Sequence, residues 1–312
     1  CSSDLISQKA LQQLVADNMA EITAQPAYQM LQETGKMRAT QHYLAKVSEI
    51  LAVNMQRAAR VNHAQPKAVE RLFGFPNRQS LPALVVSTPQ ATVHLRGKID
   101  RLDSQDPSQV YGTIIDYKSN GKHFDWGQAY DGRQMQLLTY WQAAQLSAEQ
   151  LGIEAIGGAF FAKIAPEKLT IKDFKGDVRA MLRGEIKPEQ FKYRGLFISE
   201  PAYIDSLETL AEGEGSQFYQ LKKKANGELY ANSDVILPED FELLLKRNLD
   251  NIQRASAAIL SGDFPLSPAE GGLQFTPFTD VLRFDRALGD QYKSNTPKNK
   301  SDILKLLKAD EE

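Results

Sequence analysis

The chain has 312 residues, of which 42% are hydrophobic and 24% are charged, a composition typical of a globular protein rather than a disordered or fibrous one. Its 37 Lys and Arg residues nearly balance its 39 Asp and Glu residues, and the formal net charge is −2. This balance excludes a global basic field for nucleic acid, so any DNA contact must use a local patch.

The side chains available as metal ligands are mostly carboxylates. Cys1 is the only cysteine, which excludes an internal disulfide, a Cys-based zinc site and an iron–sulfur cluster built from this chain alone. The four histidines have no ligand-like spacing; they are His42, His63, His94 and His123. We therefore expect any metal site to use oxygen ligands, which favour magnesium or a similar hard ion.

The start of the chain allows two interpretations. Cys1 followed by Ser2 and Ser3 fits the lipidated end of a mature bacterial lipoprotein, and it also fits a piece cut from a longer protein. We favour the second, because a helical pattern begins directly after Ser3 with no polar tether. No apolar run approaches the roughly 20 residues that span a bilayer, and no signal peptide is visible, so we expect a cytoplasmic protein without membrane contact.

The N-terminal region is predicted to be helical. Apolar residues recur at three- and four-residue intervals over 4–62, Pro26 interrupts the pattern, and a second helix is expected over about 37–61. Residues 67–75 are predicted to form a strand or a passage from helix to strand.

The middle of the chain predicts a sheet. Residues 91–103 and 110–119 are expected to form an antiparallel hairpin, because the polar stretch between them contains Asp106-Pro107, a turn signal. A long helix over 124–151 and a buried strand over 155–164 follow. This order of elements predicts an α/β fold with a mixed central sheet flanked by helices.

The C-terminal half gives weaker signals. Residues 165–192 are interpreted as an inserted segment, and Asn226-Gly227 as a two-residue hairpin turn. A helix is expected between Pro238 and Gly262. Its predicted buried stripe contains Phe241, Leu245, Leu249, Ile252 and Ile259. We predict four consecutive regions: a helical part at 1–65, an α/β core at 66–165, an extension packing on the core at 166–288, and a polar tail at 289–312.

Two acidic residues and a lysine fall on the predicted hairpin. Side chains alternate along a strand, so Asp116 and Lys118 point to the same face, and the hairpin brings Asp100 close to them. Glu70 can add a third carboxylate. Such a set suits Mg²⁺, which polarises a phosphate and lowers the pKa of a bound water, while Lys118 orients that water and offsets developing charge. The alternative is that Asp116 and Lys118 form an ion pair on an edge strand and that Asp100, Arg101 and Asp103 mark a solvated strand end, with no catalytic role.

The helix predicted next carries a second pair of polar residues. Gln136 and Tyr140 are one helical turn apart and therefore share a face. Beside an acidic strand pair, this spacing favours contacts to a phosphate backbone or to a nucleophilic water.

The sequence motifs around these residues resemble those of a known nuclease superfamily. GKIDRLD at 97–103, IIDYKSN at 114–120 and GRQMQLLTYW at 132–141 are similar to motifs of the RecB-type nuclease branch of the PD-(D/E)xK superfamily. VERLFGF at 69–75, RGLFIS at 194–199, and the closing FPLSP and LQFTPFTDVLRFD segments resemble the C-terminal nuclease region of the AddB/RexB family. The resemblance extends from about residue 28 to residue 286.

The resemblance implies a Mg²⁺-dependent exonuclease, with Mn²⁺ as a substitute, that degrades single-stranded DNA with 5′-to-3′ polarity during double-strand break repair and recombination. It also implies a heterodimer with a helicase–nuclease partner of the AddA/RexA type. Metal and catalytic roles fall by motif on Asp100, Asp116 and Lys118. Further implied site residues are Tyr117 (backbone carbonyl, a metal ligand), Glu70 (the early acidic position), and Gln136 and Tyr140 (the Q-x-x-x-Y motif).

Two departures from the family pattern affect the expectation. Leu273, Thr276 and Leu282 occupy places where the family often has the cysteines of a 4Fe–4S cluster, so no cluster is expected. Apolar packing is expected to replace it, with Phe275, Phe278, Leu282 and Phe284 largely buried. The family's upstream G-x-x-x-H helix is not matched, and His42 is a poor substitute, which implies weak activity for this piece alone.

A second function stays open at this point. The alternative to a nuclease is a catalytically weak DNA-binding or scaffolding module of the same complex, although retention of Asp100, Asp116 and Lys118 favours the nuclease. No G-x-x-x-x-G-K-[ST] motif occurs, so an ATP-driven motor is expected elsewhere in the complex. Two basic clusters are interpreted either as DNA contacts or as solvated surface. The first is Lys222–Lys224, and the second contains Lys298, Lys300 and Lys305.

Overall fold

A computed structural model describes residues 6–62, 64–77, 79–105, 110–119, 121, 123–164, 191–274, 276–293 and 299–311. The predicted insertion at 165–192 lies almost wholly outside these residues, as does Asp106-Pro107. The chain divides into two compact units, and each is made of separated stretches. The first unit contains Cys1–Arg71, Lys98–His123 and Ser147–Ile236, and the second contains Leu72–Gly97, Phe124–Leu146 and Leu237–Glu312. The four consecutive regions predicted from the sequence remain a prediction.

The first unit begins with helices, as predicted. Helix α1 (Gln8–Ala24) starts at Ser7, whose side chain accepts a hydrogen bond from the Ala10 N–H at 3.2 Å. Pro26 opens a single 3₁₀ turn, because a proline cannot donate the backbone hydrogen bond that a continuing helix needs. Two helices follow, α2 (Met30–Glu33) and α3 (Gly35–Asn62).

A six-stranded mixed sheet forms the centre of the first unit. Its strands are, in spatial order, β1 (Ala64–Phe73), β4 (Gly97–Gln105), β5 (Tyr111–Lys118), β6 (Ala155–Lys163), β7 (Arg194–Ile198) and β8 (Val235–Ile236). The β4–β5 and β6–β7 pairs are antiparallel, whereas β5–β6 and β7–β8 are parallel. The predicted α/β class, the mixed sheet and the antiparallel hairpin are confirmed.

One predicted strand is in fact two. The stretch at 91–103 contains β3 (Thr92–Leu95) and β4, and β3 pairs with β2 (Leu84–Ser87) in a separate two-stranded antiparallel sheet. This smaller sheet belongs to the second unit. The chain therefore leaves one sheet and enters the other around Arg96, a change that the alternation of apolar residues does not reveal.

Aromatic side chains fill one face of the large sheet. Phe160 and Phe197 are fully buried and pack with Tyr193, Tyr203 and Tyr219. The ring of Tyr203 lies flat against β6, since a Cβ added at Gly157 would stand 2.2 Å from it. Its hydroxyl shares a 2.8 Å hydrogen bond with Thr113, and burial raises the pKa of this phenol far above its ordinary value. The core therefore contains a satisfied polar group at its centre.

The predicted long helix over 124–151 is wrong. The chain forms three helices there, namely α4 (Trp126–Tyr130), α5 (Gln136–Gln145) and α6 (Ala148–Leu151). Gly132 separates the first two because its φ of +75° is left-handed, a conformation that ends a helix. A Cβ at Gly132 would also lie 3.0 Å from the side chain of Asn251, so the turn is shaped by a close tertiary contact.

The helix after Pro238 is confirmed. After α7 (Pro201–Leu207), helix α8 runs over Pro238–Ser261 and ends at Gly262, whose φ is +73°. Its predicted stripe is only partly right: Phe241 and Ile252 are buried, Leu245 and Leu249 are half-buried, and Ile259 is 64% exposed.

Polar side chains occupy part of that buried stripe. Asn248 Nδ2 donates to Gln142 Oε1 at 2.8 Å, and Asn251 Nδ2 donates to the Tyr130 carbonyl at 3.0 Å. Hydrogen bonds of this kind offset the cost of burying an amide. A search for apolar periodicity therefore places the stripe partly on the wrong residues.

The closing segment, residues 263–293, does not form the apolar packing that was predicted to replace an iron–sulfur cluster. Phe278 is 60% exposed, Leu282 and Phe284 are half-buried, and Phe275 lies outside the described residues. Between 263 and 293 the only regular elements described are a one-turn helix, α9 (Thr279–Leu282), and the 3₁₀ turn Arg286–Leu288. Without a longer helix or strand, the segment has no continuous apolar face to bury.

The predicted turn at Asn226-Gly227 is confirmed, and a helix lies within the stretch expected to be a polar tail. A helix, α10 (Lys300–Ala309), follows the closing segment. Asn226-Gly227 forms a tight turn in which Gly227 has a φ of +82° and the Lys224 N–H donates to the Glu228 carbonyl at 2.7 Å. Across the described residues, none of the helices combines the length and the apolar character that crossing a bilayer requires.

Candidate active site

Two predicted metal ligands share one face of the large sheet. The register of β4 and β5 pairs Arg101 with Ile115, and the next residues outward are Asp100 and Asp116. Directly opposed residues in an antiparallel pair project to the same side of the sheet. The carboxylates of Asp100 and Asp116 therefore project from the neighbouring strands β4 and β5 on the same face of the sheet.

Asp100 is fixed in place by the backbone of β5. Its Oδ2 accepts a hydrogen bond from the Tyr117 N–H at 3.0 Å. The Tyr117 N–H lies just beyond the last pair in the β4–β5 register. Within the register a strand carbonyl accepts such a hydrogen bond, whereas here the Asp100 side chain is the acceptor. The bond holds the Asp100 carboxylate against the peptide that follows Asp116.

Asp116 and Lys118 form an ion pair on the same face. Asp116 is only 1% exposed, and its carboxylate contacts the Lys118 ammonium group. The Lys118 Nζ also lies 5.5 Å from the centre of the Phe161 ring on β6. A carboxylate buried in an apolar strand is costly unless it is paired with a cation or a metal. The predicted Asp116–Lys118 face is thus confirmed, and it carries a charge pair.

The opposite face of the same two strands carries a second ion pair. Arg101 binds Asp103 through two hydrogen bonds, Nε–Oδ1 at 2.5 Å and Nη2–Oδ2 at 2.8 Å, and its Nη1 lies 3.5 Å from the Tyr117 hydroxyl. Burial raises the pKa of Asp103, and Arg101 opposes that shift. Burial by itself lowers the pKa of Arg101, but the bonds and charges of Asp103 and Tyr117 raise it by more, so the guanidinium stays charged.

Glu70 lies in β1, where its side chain forms an ion pair with Lys98. Its φ of +52° is left-handed, an uncommon conformation for a residue with a side chain. Within the described ranges, no three Asp, Glu, His or Cys side chains are arranged to hold a metal ion. The structure thus brings Asp100 and Asp116 together, and the role of Glu70 as a ligand stays a prediction.

Gln136 and Tyr140 belong to the second unit. Both lie on α5, and Gln136 Nε2 donates to the Tyr140 hydroxyl at 3.0 Å, which confirms that they share a face. The Tyr140 ring packs edge-on against Phe73, with the ring centres 6.0 Å apart. Gly97 lies beside this pair, where an added Cβ would stand 2.7 Å from the Phe73 ring.

Comparison with known proteins agrees with this geometry. The family model described as the PD-(D/E)XK nuclease superfamily matches residues 5–271. The chain belongs to the PD-(D/E)XK nuclease superfamily.

Several bacterial proteins are similar to this chain over nearly all of its length. The B subunit of an ATP-dependent helicase/deoxyribonuclease from Leuconostoc citreum is 99% identical over 307 residues, which cover 98% of this chain and 26% of the relative. Proteins of the same name are 55% identical in Leuconostoc mesenteroides and 33% identical in Oenococcus oeni, each over 97% of this chain and 26% or 27% of the relative. The chain therefore spans about a quarter of the length of these relatives.

The donor set of this PD-(D/E)XK domain fits a hard divalent cation. Asp100 and Asp116 offer carboxylate oxygens on one face, which are the ligands that Mg²⁺ prefers. Mg²⁺ is usually held by one or two protein carboxylates together with waters and phosphate oxygens, so two carboxylates suffice. Lys118 adds a positive charge beside them.

The Arg101–Asp103 pair, which supports the site from behind, was not predicted from the sequence. The signal was present in GKIDRLD, where Asp100 alternates with Arg101 and Asp103 and so faces the other way. The same alternation that assigns Asp100 to one face assigns Arg101 and Asp103 to the reverse face. Both residues lie on β4, and the contact of Arg101 with the Tyr117 hydroxyl reaches β5 on the face opposite the carboxylates.

Proposed function

We propose that this chain is a Mg²⁺-dependent deoxyribonuclease domain that hydrolyses phosphodiester bonds of single-stranded DNA. The observation that carries the proposal is the placement of Asp100, Asp116 and Lys118 on one face of β4 and β5. Such an arrangement of two carboxylates and a lysine suits phosphodiester hydrolysis, and membership of a nuclease superfamily supports it.

Asp100 and Asp116 would hold the metal ion, with the Tyr117 carbonyl as a further ligand and Glu70 as a fourth. The bound ion would polarise the phosphate and lower the pKa of a bound water. The Tyr117 N–H binds one oxygen of the Asp100 carboxylate. The backbone of β5 therefore fixes the orientation of the second carboxylate oxygen. Preorganised ligands of this kind need no rearrangement at the moment of reaction.

Lys118 has a separate role. Its ammonium group is held by Asp116 and lies over Phe161, so it is positioned before substrate arrives. We assign it to orienting the attacking water and to offsetting negative charge that develops on the phosphate. Gln136 and Tyr140 keep their proposed role in contacting the phosphate backbone, with the Gln136–Tyr140 hydrogen bond fixing both groups.

The wider setting is inferred from the relatives. Their name, the B subunit of an ATP-dependent helicase/deoxyribonuclease, supports a heterodimer with a helicase–nuclease partner of the AddA/RexA type that supplies ATP-driven unwinding. We propose that this domain degrades the 5′-ended strand, in the cytoplasm, during double-strand break repair and homologous recombination. A DNA-binding module with weak catalysis is the second candidate, because Glu70, the proposed further ligand, is paired with Lys98.

The test uses the full-length protein in complex with its AddA/RexA-type partner. Single-stranded DNA labelled at the 5′ or the 3′ end is incubated with Mg²⁺ and without ATP, and Asp116→Asn is compared with Asp205→Asn, an exposed carboxylate of the same unit. We expect loss of cleavage from the 5′ end only for Asp116→Asn. Cleavage from the 5′ end that persists at the wild-type rate in Asp116→Asn, or that persists in EDTA, would contradict the proposal, and cleavage from the 5′ end absent from the wild-type complex would favour the weakly catalytic module.

A further inference from the structure

A second lysine stands beside Lys118 on the next strand. The parallel register of β5 and β6 pairs Lys118 with Lys163 and Asp116 with Phe161. Paired residues of neighbouring strands project to the same side of a sheet. The position of the Lys118 ammonium over the Phe161 ring confirms that this face of β6 continues the face of Asp116. Lys163 therefore lies on the proposed catalytic face, one strand away.

The Lys163 side chain runs alongside the segment that follows β5. A Cβ built on Gly121 would stand 3.6 Å from Lys163 Nζ, 3.7 Å from Cε and 3.8 Å from Cδ. The ends of the two strands are also joined, since the Ile164 N–H donates to the Lys118 carbonyl at 2.9 Å. The ammonium group of Lys163 is thus kept at the same end of the sheet as that of Lys118.

The two lysines differ in their relation to the carboxylates. Lys118 is paired with Asp116, which places it at the reacting phosphate in the proposed mechanism. Lys163 is displaced by one strand spacing, roughly 4.8 Å, across the sheet. A DNA strand carries one negative charge per nucleotide, so a strand held at the carboxylates presents further phosphates on either side. A lysine ammonium is a compact charge that suits such a phosphate.

We propose that Lys163 is a substrate-positioning residue that binds the phosphate adjacent to the one that is cleaved. This inference rests on the proposed nuclease function. It assigns Lys163 to holding the DNA strand and not to the chemical step. Loss of its charge should therefore weaken binding of single-stranded DNA and leave the turnover of bound DNA unchanged.

Three lysines of the basic clusters singled out in the sequence form ion pairs with carboxylates. Lys224 pairs with Glu228 at 2.9 Å, Lys223 pairs with Asp205 at 3.4 Å, and Lys305 pairs with Asp302 at 3.6 Å. Lys163 has a strand register that connects it directly to the catalytic face.

The test compares Lys163→Met, Lys163→Arg and a control, Lys46→Met, in the full-length complex without ATP. Methionine keeps the aliphatic stem beside Gly121 and removes the charge, whereas arginine keeps the charge. Lys46 is exposed on α3 and pairs with Glu49, so its loss removes the same charge away from the site. Single-stranded DNA cleavage is measured as kcat and KM at several salt concentrations.

We expect Lys163→Met to raise KM by about tenfold with kcat unchanged. The slope of log affinity against log salt should fall by about 0.7, the amount expected for one lost phosphate contact on a single strand. Lys163→Arg should restore both values, and Lys46→Met should change neither. A lower kcat with unchanged KM, or an unchanged salt slope, would overturn the role of Lys163.

A direct binding measurement separates this inference from the proposed function. The affinity for single-stranded DNA is measured by fluorescence anisotropy in an Asp116→Asn background, where cleavage is not needed. Weaker binding by the Lys163→Met double variant supports the inference, and equal binding overturns it. If the wild-type complex fails to cleave DNA, the nuclease proposal fails instead. A melting temperature close to that of wild type shows that Lys163→Met is folded, and Lys163→Arg serves as the second variant.

Discussion

The carboxylate of Asp100 and the backbone of Tyr117 are joined by a 3.0 Å hydrogen bond that connects β4 to β5 at the site. The bond fixes one proposed metal ligand relative to the other, because Tyr117 directly follows Asp116. It also explains why the two strands stay together where their backbone register ends. Asp100 therefore has a structural role and a proposed metal-binding role, which can be separated by mutation.

Asp100→Asn and Asp100→Ala should separate these two roles. Asparagine keeps an oxygen that can accept the Tyr117 N–H but removes the charge, so metal affinity should fall while stability is nearly kept. Alanine also leaves that N–H without its acceptor, which should cost a further ~1–3 kcal/mol of unfolding free energy. Calorimetric Mn²⁺ titration and chemical unfolding of both variants measure the two effects. Equal stability of the two variants would show that the bond to Tyr117 is unimportant.

Lys118→Ala should retain the metal and lose the rate. Removing the ammonium leaves the Asp116 carboxylate available to the cation, so Mn²⁺ affinity should stay equal or increase. The rate should fall by about 10²–10³-fold, because a charge-stabilising group is lost. Metal titration together with single-turnover cleavage checks both statements. A variant that loses metal and rate together would instead place Lys118 in metal binding.

The Arg101–Asp103 pair should be important for stability. Asp103→Ala leaves the Arg101 guanidinium without its bidentate partner in a largely buried position, which should cost about 3–5 kcal/mol. The double variant Arg101→Leu/Asp103→Ala removes both charges and should be more stable than Asp103→Ala, and the single variant Arg101→Leu completes the cycle. Urea unfolding of the single and double variants tests this order. Strictly additive losses would show that the two side chains do not act as a pair.

Phe278→Asp should have almost no effect on stability. The side chain is 60% exposed, and exposed positions away from special features usually change unfolding free energy by no more than about 0.5 kcal/mol. Phe197→Asp, which buries a charge in the aromatic core, is the contrasting variant and should abolish folding. Thermal melts of both proteins provide the comparison. A sharp fall in the melting temperature of Phe278→Asp would support the apolar packing of Phe278 that was predicted from the sequence.

The site was more predictable than the elements around it. Asp116 and Lys118 share a face because side chains alternate along a strand, and this period holds wherever the strand is regular. The position of Asp100 beside Asp116 could be predicted once the two strands were recognised as a hairpin. Its bond to Tyr117 could not be predicted, because it arises where the backbone register ends.

The errors share a physical cause, which is that tertiary contacts override local patterns. The helix predicted over 124–151 breaks at Gly132, where a left-handed turn fits closely against Asn251. The stripe of α8 includes Asn248 and Asn251 because their amides find partners in other segments. Phe278 was expected to be buried because it is apolar, but no long helix or strand places it against the core.

The most direct test is to locate a Mn²⁺ ion by its anomalous scattering in crystals of the full-length protein with its proposed AddA/RexA-type partner. The account predicts an ion with ligand distances of about 2.0–2.2 Å to carboxylate oxygens of both Asp100 and Asp116, and no such ion in Asp116→Ala. An active complex in which no Mn²⁺ ion contacts Asp100 or Asp116 would contradict it.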